Sequence, residues 1–335
     1  MALLSKNLGI DLGTSYTRVS AGGQILLEEP TVAAIVVEEQ KMVAWGQEAQ
    51  HMYGRVPESI EVTKPLKNGV VADYEVTEYI LHDILRKVSG PFRVFRPQVM
   101  ITVPDGVTSV ERRAVHEAAL QAGSRDAHLI QQPLAAALGI DLPINTPSGN
   151  MVLCLGGGAT QAAVLAMYGI VASEILRAGG MQLDEAIVTY VRKKYGLIIG
   201  QLTAEQVKIQ IGAAVHQDEE KHVELQGQDQ VSGLPRPISL TTGEIVEAMQ
   251  EPLKSMVETA RRVLEKTPPE LVSDIIDRGV ALCGGGALLR GIDRLMTKEL
   301  GVPAYLVDNP TTCIAEGAAK GLNIFGLIRR NIPAV

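Results

Sequence analysis

Two stretches, NLGIDLGTSYTRVSA (7–21) and NMVLCLGGGATQAAVLAM (150–167), decide the fold. In the first, Leu8, Ile10 and Leu12 alternate along a strand, Gly13-Thr14-Ser15 turns the chain, and a second strand runs through Thr17 and Val19. The second stretch repeats strand, glycine turn and strand, with Gly156-Gly157-Gly158-Ala159-Thr160 at the bend. Glycine in such a turn can take positive φ and aim backbone N–H groups into a concave anion site. A duplicated hairpin predicts two related lobes facing one cleft, where opposed turns could grip a polyphosphate from both sides. VALCGGGALLRGI (280–292) adds a third turn, Gly284-Gly285-Gly286, before a helix. It suits a purine or its ribose, where side chains would block close approach. Asp11, just ahead of Gly13, is placed to hold a hydrated Mg²⁺, a hard cation that favours carboxylate and water oxygens.

Around these hairpins, strands and helices alternate, which predicts an α/β fold with a parallel or mixed sheet. Residues 75–89 place Ile80, Ile84, Leu85 and Val88 at helical spacing before Gly90-Pro91. QVMITVP reads as a buried strand, and TSVERRAVHEAALQAG as a helix with a Thr108/Glu111 capping box and Gly123 at its end. Further helices are expected at about 182–195, 242–265 and 270–277, with short strands at about 216–240. The tail GLNIFGLIRRNIPAV is expected to pack as a last helix and fray after Pro333.

Composition narrows the function. Hydrophobic residues at 46% allow a sizeable core, and aromatics at 4% make that core aliphatic. A net charge of −7 argues against a nucleic-acid binder, which would need a basic face. Cys154, Cys283 and Cys313 are odd in number and form no CxxC, which suits a reducing cytoplasm. No apolar run is long enough to span a bilayer, and MALLSKNLGID lacks the layout of a secretory signal, so a cytoplasmic location is expected. The six histidines show no ligand spacing, and no GxSxG or Cys/His nucleophile motif appears. Trp45 is expected to pack within a small subdomain.

GIDLGTSYT, GGGATQ, LCGGGALLRGI and PTTCIAEGAAKGL resemble the nucleotide site of the actin/heat-shock-chaperone/sugar-kinase superfamily. Within it, PLKNGVVADYEVTE, VPDGVTSVERRAVHEAALQAG, LTAEQVKIQIGAA and TPPELVSDIIDRGVALCGGGALLRGID are similar to the MreB family of bacterial actins. The resemblance implies an α/β, actin-like two-lobed fold of duplicated ribonuclease-H-like domains in four subdomains. The first large subdomain would take 1–32, 66–144 and 310–335, with 33–65 as its small partner. The second would take 145–180 and 243–309, with 181–242 as its partner. The implied function is an ATP-binding cytoskeletal protein that polymerises into membrane-associated filaments and helps determine cell shape. Its partners would be further copies of itself, the inner-membrane surface, and proteins of cell-wall elongation or division. The alternatives are a non-hydrolysing filament scaffold and a small-molecule kinase of the same superfamily; the kinase should show a substrate-binding acid at the cleft base and larger insertions, neither of which is evident.

Carried over by motif, Gly13, Thr14, Ser15, Gly156, Gly157, Gly158 and Thr160 would contact phosphate, with Asp11 serving Mg²⁺. Gly180, Glu205 and Lys208 would serve the ribose and base, and Gly284, Gly285 and Gly286 the adenosine. Glu205 and Lys208 stand at i, i+3, so they could face the nucleotide together or form a solvated ion pair. The sequence departs from the family at several of these points. Cys154 stands where the second turn usually begins with Asp, Ala159 replaces a Thr, and Met181 replaces an Asp near the ribose. Gln131-Gln132-Pro133 replaces Glu-Glu-Pro, putting Gln132 where the family's hydrolytic Glu would polarise water. An amide can orient a water but cannot take its proton at neutral pH. Eukaryotic actin also carries Gln there and hydrolyses ATP, so only the combination with Cys154 points to slow or absent hydrolysis. Phe92 and Phe95 interleave with Arg93 and Arg96 in GPFRVFRP and resemble the hydrophobic loop that some family members press into the cytoplasmic leaflet. The alternative is that both rings close a subdomain core.

Overall fold

The computed structural model describes residues 7–89 and 96–332. Its frame is two five-stranded sheets with one topology used twice. The first runs Gln24–Pro30, Tyr16–Ala21, Asn7–Leu12, Gln98–Val103, Asp126–Gln131. The second runs Gly169–Leu176, Thr160–Ala166, Asn150–Leu155, Val280–Cys283, Ala304–Leu306. In each, three antiparallel strands from one meander are followed by two strands parallel to the first. The hairpin repeat read in the sequence is therefore a repeat of the whole sheet. Parallel pairs need crossovers, and helices supply them.

Those helices sort into layers. Tyr74–Ser89 and Ser109–Gln121 cover the outer face of the first sheet, burying Ile80, Ile84, Val115 and Ala118 against Leu8, Ile10 and Ile101. The second of these helices starts at the expected capping box, with the Thr108 hydroxyl and Glu111 carboxylate each accepting the other's backbone N–H. Thr242–Lys266 and Gly180–Tyr195 cover the second sheet. Between the two sheets lie Gln132–Gly139 and Cys313–Asn323, in a core whose commonest residue is alanine. Small residues let these helix backbones approach until a Cβ on Gly317 would stand 1.7 Å from the Ala135 carbonyl oxygen.

Two three-stranded sheets flank this frame, Lys41–Trp45 with Ala33–Val36 and Ile60–Thr63, and Leu197–Ile198 with His222–Asp229 and Pro235–Thr241. Trp45 does not pack within the small sheet's own cluster: it joins the core of the first lobe and ties the two together, its indole N–H donating to Asp83 Oδ2 at 2.7 Å. The helix expected near 182 begins at Gly180, because the Gly180 and Met181 N–H groups bond back to Gly156 and Gly157 carbonyls at 2.9 Å each. The tail forms two helices instead of one, broken at Ile324 between Cys313–Asn323 and Phe325–Ile328. Pro333 lies outside the described residues, as do Phe92, Arg93 and Phe95. Among the described residues, no helix is long and apolar enough to cross a membrane.

Candidate functional site

Both hairpin turns close the same way. Gly13 N–H bonds Tyr16 O at 3.2 Å and Gly156 N–H bonds Ala159 O at 2.9 Å. A Cβ on either glycine would stand 2.7 or 2.8 Å from that same carbonyl oxygen, so neither position accepts a side chain. The turns face each other. A Cβ on Gly157 would lie 2.0 Å from Ser15 Oγ, and one on Gly158 would lie 2.6 Å from Thr14 Oγ1. The Gly156 and Gly157 carbonyls are occupied by Gly180 and Met181, so the turn's N–H face is the one left to the cleft. The N–H groups of Thr14, Ser15, Gly157 and Gly158 carry no acceptor among the described residues. Donors in this arrangement form an anion cradle.

The third turn closes the cleft's far side. Gly284, at φ 85°, lies so close to the preceding hairpin that a Cβ would meet Leu155 O at 2.4 Å. Gly285 has nothing near it and opens to the cleft, whose volume is about 490 Å³. That is within the usual range for small-molecule sites. Asp11, Gln132, Cys154, Gly180, Glu205, Lys208 and all three turns line it.

Asp11 is 6% exposed, and burial raises its carboxyl above the ordinary value despite hydrogen bonds from Thr102 and Gln132. Both bonds reach Oδ1, at 2.7 and 3.3 Å, which leaves Oδ2 for a cation. Mg²⁺ fits this donor set only as a partly hydrated ion shared with phosphate, since Asp11 is the lone acid at the turns. Cys154 adds a soft thiol that such an ion does not favour. Gln132, the first residue of its helix, donates to Asp11 and accepts from the Gln161 amide, whose own oxygen accepts from Asp105 N–H at 2.9 Å. Gln132 is thus held at both ends.

Lys208 does not pair with Glu205, the partner its i, i+3 spacing allowed. Its ammonium binds Asp184 Oδ1 at 2.7 Å and donates to Gly180 O at 3.0 Å, while Glu205 lines the same wall. Thr160 is not in the cleft. It is fully buried and donates to Ala178 O at 2.9 Å, because it begins a strand on which its neighbour Gln161 takes the cleft-facing side. Lys64, Asp184, Tyr16 and Arg18 also line the site and are absent from the sequence reading. Lys64 reaches across the cleft to Met181 Sδ at 3.5 Å, and burial lowers its pKa. Arg18 is held by Glu28 at 2.7 Å.

Burial pushes Asp184 up to about 6 against the pull of Lys208. The folded value stands above the ordinary 3.8 of an aspartate carboxyl, so the folded chain holds an extra proton between them. That stabilisation is complete below about pH 4 and lost as pH rises through about 6. Asp11 is shifted in the same sense. Thermal melts from about pH 4.5 to 7 should decline less steeply for Asp184→Asn than for wild type; parallel curves would contradict this assignment.

The family model described as "MreB/Mbl protein" matches residues 5–329. The chain is 44% identical over 331 residues to the cell shape-determining protein MreB of Escherichia coli (strain K12), covering 97% of this chain and 95% of that protein. It is similar to the crystal structure of Spiroplasma citri MreB5 bound to ADP, at TM-score 0.92 and 30% identity over 98% of this chain and 99% of that one. The MamK double helical filament matches at TM-score 0.81 and 20% identity, over 95% of this chain and 99% of that one, a likeness of fold alone. The two related lobes expected from the hairpin repeat are therefore those of the actin-like fold that the family resemblance implied. On the family model and the curated relative together, this chain belongs to the MreB/Mbl family.

Proposed function

We propose that this chain is an ATP-binding, actin-like cytoskeletal protein that polymerises into filaments at the inner membrane and helps determine cell shape. The observation that carries the reading is the pair of facing glycine turns, built alike and directed at each other across a cleft of nucleotide size. A related MreB5 is solved with ADP in hand, and the E. coli relative is named for cell shape. Thr14, Ser15, Gly157 and Gly158 would bind phosphate through backbone N–H groups, and Lys64 offers a desolvated ammonium beside them. Glu205 and Lys208 would orient the ribose, with Lys208 aimed by Asp184. When bound, Mg²⁺ would neutralise phosphate charge beside Asp11 Oδ2. Four subdomains, divided as the family resemblance implies, would close around the ligand, and a ligand that prefers the closed form shifts the population toward it. A head-to-tail contact that does not close into a ring then gives an open filament.

Hydrolysis is expected to be slow, because Gln132 cannot take a proton and Cys154 replaces an acid. Phe92 and Phe95 would anchor the filament: each buried ring contributes about 1.5–3 kcal/mol, marginal for one protomer and firm when many act together. Sedimentation tests both parts. Wild type should pellet with ATP and Mg²⁺ and co-sediment with anionic liposomes, while Phe92→Ser/Phe95→Ser should pellet alone but lose the liposomes. A chain that stays in the supernatant in every nucleotide state would overturn the filament reading.

A further inference from the structure

The chain has three cysteines, spread over 160 residues of sequence, and the fold gathers all of them, unbridged, into the core beneath the cleft. Cys154 and Cys283 are register partners on parallel strands, with sulfur atoms 3.2 Å apart. Neighbouring strands lie about 4.8 Å apart, inside the Cα separation of roughly 4.4–6.8 Å that a disulfide accepts. Cys313, the first residue of its helix, lies in the same core cluster, its thiol donating to Pro310 O at 3.6 Å. Only Cys154 lines the cleft; Cys283 is wholly buried behind it.

We infer that Cys154 and Cys283 form a redox-active thiol pair, oxidised to a disulfide by a small peroxide that enters through the cleft. The Cys154 thiolate attacks one peroxide oxygen, the O–O bond breaks, and Cys154 becomes a sulfenic acid as the first water leaves. Cys283 sulfur then attacks Cys154 sulfur, the S–O bond breaks, and the second water carries away the Cys283 proton. Two thiols are oxidised and one peroxide is reduced to two waters. The order follows from access, since of the three thiols Cys154 is the one that meets the cleft. The new bond would sit immediately before Gly284 and two residues before Gly156, tying together the strand ends that carry two of the three turns. A nucleotide over Cys154 would shield it, a coupling that rests on the function proposed above.

Reduced full-length protein treated with hydrogen peroxide, then alkylated and mapped by peptide mass spectrometry, tests the pair. The expected product is a Cys154–Cys283 disulfide with Cys313 free, retained in Cys313→Ser and lost in Cys154→Ser. Saturating ADP should slow its formation at least about 5-fold. A Cys283–Cys313 disulfide, over-oxidised Cys154 without a disulfide, or unreacted thiols would each overturn the inference. Calorimetry on the same sample separates the two readings. If ADP binds yet leaves the oxidation rate unchanged, the placement of the pair beneath the ligand is wrong. If ADP does not bind and the disulfide still forms, the thiol pair stands and the nucleotide reading fails.

Discussion

Gly317→Ala should lower the stability of the folded chain by about 3 kcal/mol. The added methyl would stand 1.7 Å from Ala135 O and 2.6 Å from Gly139 N, both backbone atoms that cannot rotate away. Gly139 meets the Cys313 carbonyl just as closely from the opposite helix, and Gly9 meets Ala319 from the central strand. Relief requires the helices Gln132–Gly139 and Cys313–Asn323 to separate, which opens the core between the sheets. Gln132 opens the first of these helices and lines the cleft, so the same separation would disturb the site. Urea denaturation would measure the loss, with Gly326→Ala as the control. Nothing lies within 4 Å of a Cβ at Gly326, so that change should stay within about 0.5 kcal/mol of wild type. A Gly317→Ala midpoint equal to the control's would contradict the packing described.

The second large effect concerns turnover. Restoring both acids, Cys154→Asp with Gln132→Glu, should raise the rate of phosphate release about 100-fold, the lower range for regaining a general base. Gln132→Glu alone should yield less, because it sets a second carboxylate beside Asp11 where the amide now donates at 3.3 Å. Two carboxylates so placed cannot both ionise without a cation between them. Asp at 154 supplies a harder ligand for that cation. If the double variant releases phosphate no faster than wild type, the two departures are not what limits hydrolysis.

Much of this was legible because it is local. Alternating Leu8, Ile10 and Leu12, the repeated glycine turns and the Thr108/Glu111 box each announce themselves within a few residues, and each is found in place. The site's charged wall was not legible, because no short-range pattern couples its members. Lys208 found Asp184 on another helix instead of Glu205 on its own, since the buried carboxylate was the one that required a counter-charge. Lys64 belongs to no glycine turn and reaches the site only through the way the lobes close. Strand alternation after the second turn could have told Thr160 from Gln161, for once one faces the cleft the other cannot. The meeting of Cys154 with Cys283 depends on the register of two parallel strands far apart in sequence, and that register is set by the core alone.

The most direct measurement is a calorimetric titration of ADP with Mg²⁺ into wild type beside Gly157→Val. A side chain at 157 would collide with Ser15 Oγ and Cβ and force the two turns apart. The account predicts a single exothermic site in wild type, and at least tenfold weaker binding in the variant, about 1.4 kcal/mol. Silence from wild type at millimolar ADP, or equal affinity in both proteins, would show that the facing turns do not hold the nucleotide.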